Sequence, residues 1–183
     1  MPDAISVIEK DHRTVDAMFN DYETVIDEAR KEEVAPRIVR ELSIHAALEE
    51  MLVYPVVRLK VDGGDDMVDH AVEEHQEAKR LLADIEKAGS GSQRDQLMKE
   101  LAGSIREHIA EEEGDVLPRL RECVDAERLE QMGTLMERSR GLMPTHPHPM
   151  VPGTAAAQLL AGPLASVADH IRDFVDSLRR SRG

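Results

Sequence analysis

The sequence predicts an all-α fold: an antiparallel up-down-up-down four-helix bundle, built as a duplicated helical hairpin, with an extra C-terminal helix after a Pro-rich linker. Three observations predict it. Aromatic residues are 2% of the 183 residues and Trp is absent, whereas strands of a sandwich or barrel use many aromatic and β-branched residues. Good helix formers dominate instead, and apolar positions recur at the 3.6-residue period of amphipathic helices. Finally, a set of histidines and glutamates repeats along the chain at one fixed offset.

The elements follow in order. Asp3 is placed to cap a first helix whose apolar face holds Ile5, Ile8, Val15, Met18, Phe19, Tyr22 and Ile26, and which fades near Lys31. Pro36 suits the first turn of a second helix, with Ile38, Leu42, His45, Leu48, Glu49 and Leu52 on one broad face. Pro55 should bend or end it, and Gly63-Gly64 should stop it. A third helix spans about Asp66 to Ala88 and ends at Gly89-Ser90-Gly91. Ser92 is a candidate cap for a fourth, which carries Leu97, Leu101, Ile105, His108, Ile109 and Glu112 and ends near Pro118. Short connections between four long helices give an up-down-up-down bundle. This assigns residues 1–125 to the bundle, 126–143 to a short helix, 144–153 to a linker with Pro144, Pro147, Pro149 and Pro152, and 154–183 to the C-terminal amphipathic helix.

The repeat carries the chemistry. His45-Ala-Ala-Leu-Glu49-Glu50 matches His108-Ile-Ala-Glu-Glu112-Glu113 at an offset of 63, and Pro55 matches Pro118 at the same offset. His12 then falls on His75. Each half therefore has one His on its first helix and His-x3-Glu on its second. Residues i and i+4 share a helix face, so His45 projects with Glu49 and His108 with Glu112, both on otherwise apolar stripes. Two inward carboxylates without Lys or Arg on those stripes would cost several kcal/mol each if unpaired. A pair of metal ions would neutralise them, with His12, His45, Glu49, His75, His108 and Glu112 as ligands. Glu50 and Glu113 suit surface acids or hydrogen-bond acceptors for the ligand imidazoles.

His12, His45-x3-Glu49, His75 and His108-x3-Glu112 resemble the pattern of the hemerythrin-like HHE cation-binding family, over about residues 4–125. The resemblance implies an antiparallel four-helix bundle around an oxo- or hydroxo-bridged, non-haem di-iron centre. The sequence departs from the pattern of oxygen-carrying hemerythrin. Ala71 stands where that pattern has a further His, and the fourth helix has His-x3-Glu in place of His-x4-Asp. One ligand fewer leaves more positions open, which favours two-electron chemistry on a bridging substrate over reversible O2 carriage. The expected function is catalase-like decomposition of hydrogen peroxide with two iron ions as the only cofactor. Binding or sensing of O2, NO or iron, delivery or repair of iron centres, and a metal-stabilised interaction domain are the alternatives.

Tyr54 breaks the symmetry of the halves: its mate is Leu117, and each directly precedes the matched Pro. On a regular helix Tyr54 points away from Glu49, but the irregularity expected at Pro55 lets the phenol swing inward as a packing residue, an iron ligand or a redox-active neighbour. His70 is expected to face solvent. His146 and His148 lie in the linker and His170 on the last helix, none with a mate in the repeat, and Cys123 has no His at a recognisable nucleophile spacing.

The net charge of −14 disfavours nucleic acid and anionic lipid. No apolar run approaches the length of a membrane span. Met1-Pro2-Asp3-Ala4 lacks the features of a secretory signal, and the single Cys123 fits a reducing compartment, so a cytoplasmic location is expected. The segment from Gly141 to Gly183 holds three acids and four arginines, leaving about −15 on residues 1–140. Its last helix carries an apolar stripe, Leu160, Leu164, Val167, Ile171, Phe174, Val175 and Leu178, suited to dock on the bundle or on another copy in an oligomer.

Overall fold

Asp3 accepts a hydrogen bond from the Ser6 N–H at 2.8 Å and starts α1, Ala4–Thr24. The computed structural model describes residues 2–148 and 164–180, with side chains from 169 onward in the last helix. The helix ends before Lys31, and Ile26, expected on the apolar face, is 93% exposed. The physical reason is a second cap: Asp27 accepts from the Ala29 N–H at 3.1 Å and opens α2, Glu28–Leu48, two turns before the start that Pro36 suggested. Pro36 lies inside α2, with its missing N–H opposite the exposed Glu32.

From α2 the chain continues through a π-turn, Glu49–Val53, into a short α3, Tyr54–Lys60. Two glycines then reverse it for different reasons. Gly63 is left-handed at φ +72°, and a Cβ on Gly64 would lie 2.3 Å from the Val57 carbonyl oxygen. They lead into α4, Gly64–Ala88, and α5, Ser92–Glu111. Ser92 is the first residue of α5 and not its cap; Gly91 holds that place with no side-chain hydrogen bond. A second π-turn, Glu112–Val116, and α6, Leu117–Cys123, repeat the end of the first half.

The four long helices close a ring: α1 packs on α2, α4 on α5, α1 on α5 and α2 on α4. Asp21 at the end of α1 pairs with Arg30 at the start of α2, and His12, further back in α1, meets His45 near the end of α2 with ring centroids 4.9 Å apart, so these neighbours run antiparallel. α7, Ala126–Ser139, lies on α1 so closely that a Cβ on Gly133 would be 2.4 Å from the Pro2 carbonyl oxygen. Met132, Met136 and, beyond a 3-10 turn at Arg140–Leu142, Met143 are buried in the same core. α8, Leu164–Arg180, buries Ile171, Val175 and Leu178 against the body, and Lys60 Nζ donates to the Leu178 carbonyl at 2.9 Å. The stripe's Leu160 and the expected helix over 155–163 fall outside the described residues, as do Pro149 and Pro152.

The core has two apolar clusters, one around Ile8, Ile44, Leu52, Ala71 and Leu117 and the other around Val15, Phe19, Leu42, Ala78 and Ile105. Between them, on every long helix, one residue position is polar. That interruption is the site.

Candidate metal centre

Backbone geometry sets up the site first. Proline lacks an N–H, and its ring collides with the carbonyl four residues back in an α-helix. Pro55 and Pro118 stand at equivalent places, and ahead of each the helix widens by one residue, so that the Tyr54 N–H bonds to the Glu49 carbonyl and the Leu117 N–H to the Glu112 carbonyl. In such a turn residue i+5 comes to the side that i+4 takes in an α-helix. This brings Tyr54 inward: it is 2% exposed, with its hydroxyl 3.1 Å from His75 Nε2 and 3.5 Å from Glu49 Oε2.

All six residues singled out by the repeat converge, and all are buried. Glu49 Oε1 lies 3.1 Å from His45 Nε2 and Glu49 Oε2 lies 3.4 Å from His75 Nε2, so this carboxylate spans the two halves. Glu112 mirrors it, with Oε2 at 3.3 Å from His12 Nε2 and 3.9 Å from His108 Nε2. Two groups of ligand atoms result, His12–His45–Glu49–Glu112 and Glu49–His75–His108, each within 4.8 Å, and Glu49 belongs to both. The His12–His45 and His75–His108 rings have the same 4.9 Å centroid separation.

The imidazoles turn Nε2 inward and Nδ1 outward onto carboxylates. His12 Nδ1 meets Glu113 at 2.8 Å and His75 Nδ1 meets Glu50 at 3.1 Å, which places Glu50 and Glu113 as acceptors behind the ligand set. His108 Nδ1 meets Glu74 at 2.8 Å, and His45 Nδ1 faces Asp11 at 3.7 Å. Asp11 and Glu74 were missed by sequence reasoning, although they stand at the same offset of 63, each just before a matched His. A proton held on Nδ1 by a carboxylate leaves the Nε2 lone pair free for a cation. Lys79 Nζ, 2.5 Å from Glu50, and Arg140, paired with Asp11, anchor two of these acids.

The electrostatics of the inner six fit a cation pair. Glu49 Oε1, both Glu112 oxygens and His12 Nε2 are buried without a hydrogen-bond partner, and among the described residues no Lys or Arg reaches either carboxylate. Burial, together with Glu112, pushes Glu49 well above the carboxylate range. Glu112 goes the other way: burial opposes its ionisation, but His12 and His108 hold it low. His12 is pushed down by burial and up by Glu112, Glu49 and Glu113, ending at about 9, whereas burial lowers His45 to about 4 against the pull of Asp11. Burial, reinforced by Glu49 and Glu112, also keeps the Tyr54 phenol well above its ordinary value.

Openings reach the six residues from two sides. One is an apolar cavity lined by Val15, Leu42, Ala78, Leu82 and Ile105, with the four histidines at its base. The other is a polar cleft beside the second π-turn that reaches His108 and Glu112. His70 is solvent-facing, as expected. His146 stands apart, 2.6 Å from Glu86, and Cys123 is an exposed free thiol.

Residues 3–120 match the Hemerythrin HHE cation binding domain family. The chain belongs to the hemerythrin HHE family. The family's domain binds metal cations, and this chain carries groups of His and Glu whose donor atoms lie close enough together to hold a metal ion. An uncharacterized hemerythrin-like protein of Schizosaccharomyces pombe is 29% identical over 169 residues, 91% of this chain and 83% of that protein. A protein of Nostoc sp. described as a DNA nickase is 30% identical over 129 residues, 70% of this chain but 36% of its own length, so this hemerythrin-like chain spans about a third of it. A hemerythrin HHE cation binding domain-containing protein of Mycobacterium kansasii, known from its crystal structure, shares the fold at a TM-score of 0.66 and 19% identity, over 94% of this chain and 99% of that one. No helix among the described residues is long and apolar enough to cross a membrane.

Proposed function

We propose that this hemerythrin-like protein holds two iron ions between His12, His45, His75, His108, Glu49 and Glu112, and decomposes hydrogen peroxide, 2 H2O2 → 2 H2O + O2. The observation that carries the reading is Glu49, which faces a histidine of each half and belongs to both ligand groups. When bound, an iron pair supplies the two-electron oxidation and reduction that the disproportionation requires, so no organic cofactor and no external reductant enters the balance. The protein's own residues do the rest. The outer carboxylates Asp11, Glu50, Glu74 and Glu113 fix the imidazoles with Nε2 inward. Tyr54 holds a proton at Oη, beside His75 and Glu49, which supports a role for it in proton transfer, with Glu50 and Glu113 the other nearby acids. The apolar cavity admits a small uncharged molecule and disfavours a charged reductant.

That cavity equally suits O2 or NO, and binding or sensing of a gas is the second reading. The DNA nicking named for the Nostoc relative is not carried over, because the net charge of −14 opposes a phosphate backbone. The test is O2 evolution at an electrode after adding H2O2 to the iron-loaded protein, with the metal-free form and Glu49→Ala as controls. Evolution well above both controls is expected. Evolution equal to theirs, together with a stable O2 adduct of the reduced protein, would replace turnover by gas binding.

A further inference from the structure

The polar cleft beside the second π-turn has a ligand group of its own at its mouth. His70 Nε2 lies 3.1 Å from Glu111 Oε2 and 3.6 Å from Glu74 Oε1, and the three ligand atoms fall within 4.8 Å of one another. His70 and Glu111 are 59% and 60% exposed, so a cation there would keep much of its water. At the floor of the same cleft stands Glu112, 2% exposed, with both carboxylate oxygens unpartnered. Glu74 connects the two levels: Oε1 faces His70, and Oε2 accepts from His108 Nδ1. Ala71 and Gly114, both on the cleft wall, keep the passage open, since a Cβ on Gly114 would meet nothing within 4 Å.

We propose that His70, Glu74 and Glu111 form an outer site for a divalent cation, the port through which metal reaches the buried centre. The proposal rests on the reading of the inner six residues as metal ligands. One imidazole and two carboxylates make a mixed N/O donor set for a first-row divalent ion. The other approach, the cavity lined by Val15, Leu42, Leu82 and Ile105, leads a cation past apolar walls and the Lys79 side chain before it meets the histidines, with no carboxylate on the way to replace its water. The port also has no counterpart in the first half. The mates of His70 and Glu111 are Val7 and Leu48, and the first π-turn is covered by α8. Duplication therefore explains the inner six and Glu74, but not His70 and Glu111.

The test is the rate of anaerobic Co(II) uptake by the full-length metal-free protein, followed by the visible absorption of the bound ion, with final stoichiometry from elemental analysis. His70→Ala/Glu111→Gln should slow loading by about tenfold or more while the final occupancy stays that of the wild type. Glu111→Lys, which puts a like charge at the mouth, should slow it further. Glu32→Gln, an exposed acid near the start of α2, should load at the wild-type rate and controls for net charge. Mn(II) titration read by electron paramagnetic resonance should show one weak equivalent beyond the buried ones, lost in the double variant. Loading of the double variant at the wild-type rate would overturn the port while leaving the inner centre standing. Failure of the wild-type protein to take up Co(II) would overturn the inner centre, and the port with it.

Discussion

The first π-turn, Glu49–Val53, is buried along most of its length, with α8 against it. The second, Glu112–Val116, keeps only Glu112 inside and turns Glu113, Gly114 and Asp115 to solvent. Yet each delivers one carboxylate to the same place, held between one histidine of its own half and one of the other. Duplication accounts for the shared part: His12 with His75, His45 with His108, Glu49 with Glu112, and the outer acids Asp11 with Glu74 and Glu50 with Glu113. What surrounds this shared set is not shared. Tyr54 stands beside His75, while its mate Leu117 brings only an aliphatic chain. Glu50 is buried with Lys79, whose mate is Asp16, and Glu113 is 39% exposed with no such cation. The comparison teaches that the placement of the buried His/Glu set comes from symmetry, whereas its cover and its polar surroundings come from the breaking of that symmetry.

The largest expected effect would test the equivalence itself. Glu49→Ala and Glu112→Ala should each lose most of the metal, and His45→Ala and His108→Ala should lose it to similar extents, as read by elemental analysis after loading. Markedly unequal losses between mates would show that one half dominates. Next comes removal of the cover over the first π-turn. A chain ended after Met143 loses the burial of Ile171, Val175 and Leu178, a stability cost on the order of 4 kcal/mol by denaturant titration, yet should keep its metal. Loss of metal on truncation would mean that α8 helps to build the centre and does not merely cover it.

A smaller effect is expected at Tyr54. Tyr54→Phe removes one buried hydroxyl contact, so stability should fall by only about 1 kcal/mol, while peroxide turnover drops more steeply. If spectrum and turnover both match the wild type, the phenol is a packing group and the halves are closer to equivalent than the structure suggests. The smallest effects belong outside the repeat: His146→Ala and His170→Ala should leave metal content unchanged in the same elemental analysis.

The convergence of the six residues was legible because one offset related side chains of metal-binding type, and that signal does not depend on where helices begin. The outer acids Asp11 and Glu74 obey the same offset, but in such acidic helices an acid beside a His reads as ordinary surface. The π-turns were half legible. Pro55 and Pro118 announced an irregularity, but which way Tyr54 would turn depends on the one-residue widening, and this needed the backbone. The boundary between α1 and α2 was misplaced because Pro36 looked like the stronger helix start, while the cap at Asp27 acts through a single side-chain hydrogen bond. The port at His70 was invisible, since its three residues come from two helices and two of them, His70 and Glu111, have mates of a different kind, Val7 and Leu48.

Metal stoichiometry tests the central claim most directly. Metal-free protein loaded with Fe(II) under anaerobic conditions, desalted and analysed for iron should hold two ions per chain, because two ligand groups share Glu49. A value of one would contradict the paired centre, and a value of zero would contradict the metal reading of the buried histidines and carboxylates altogether.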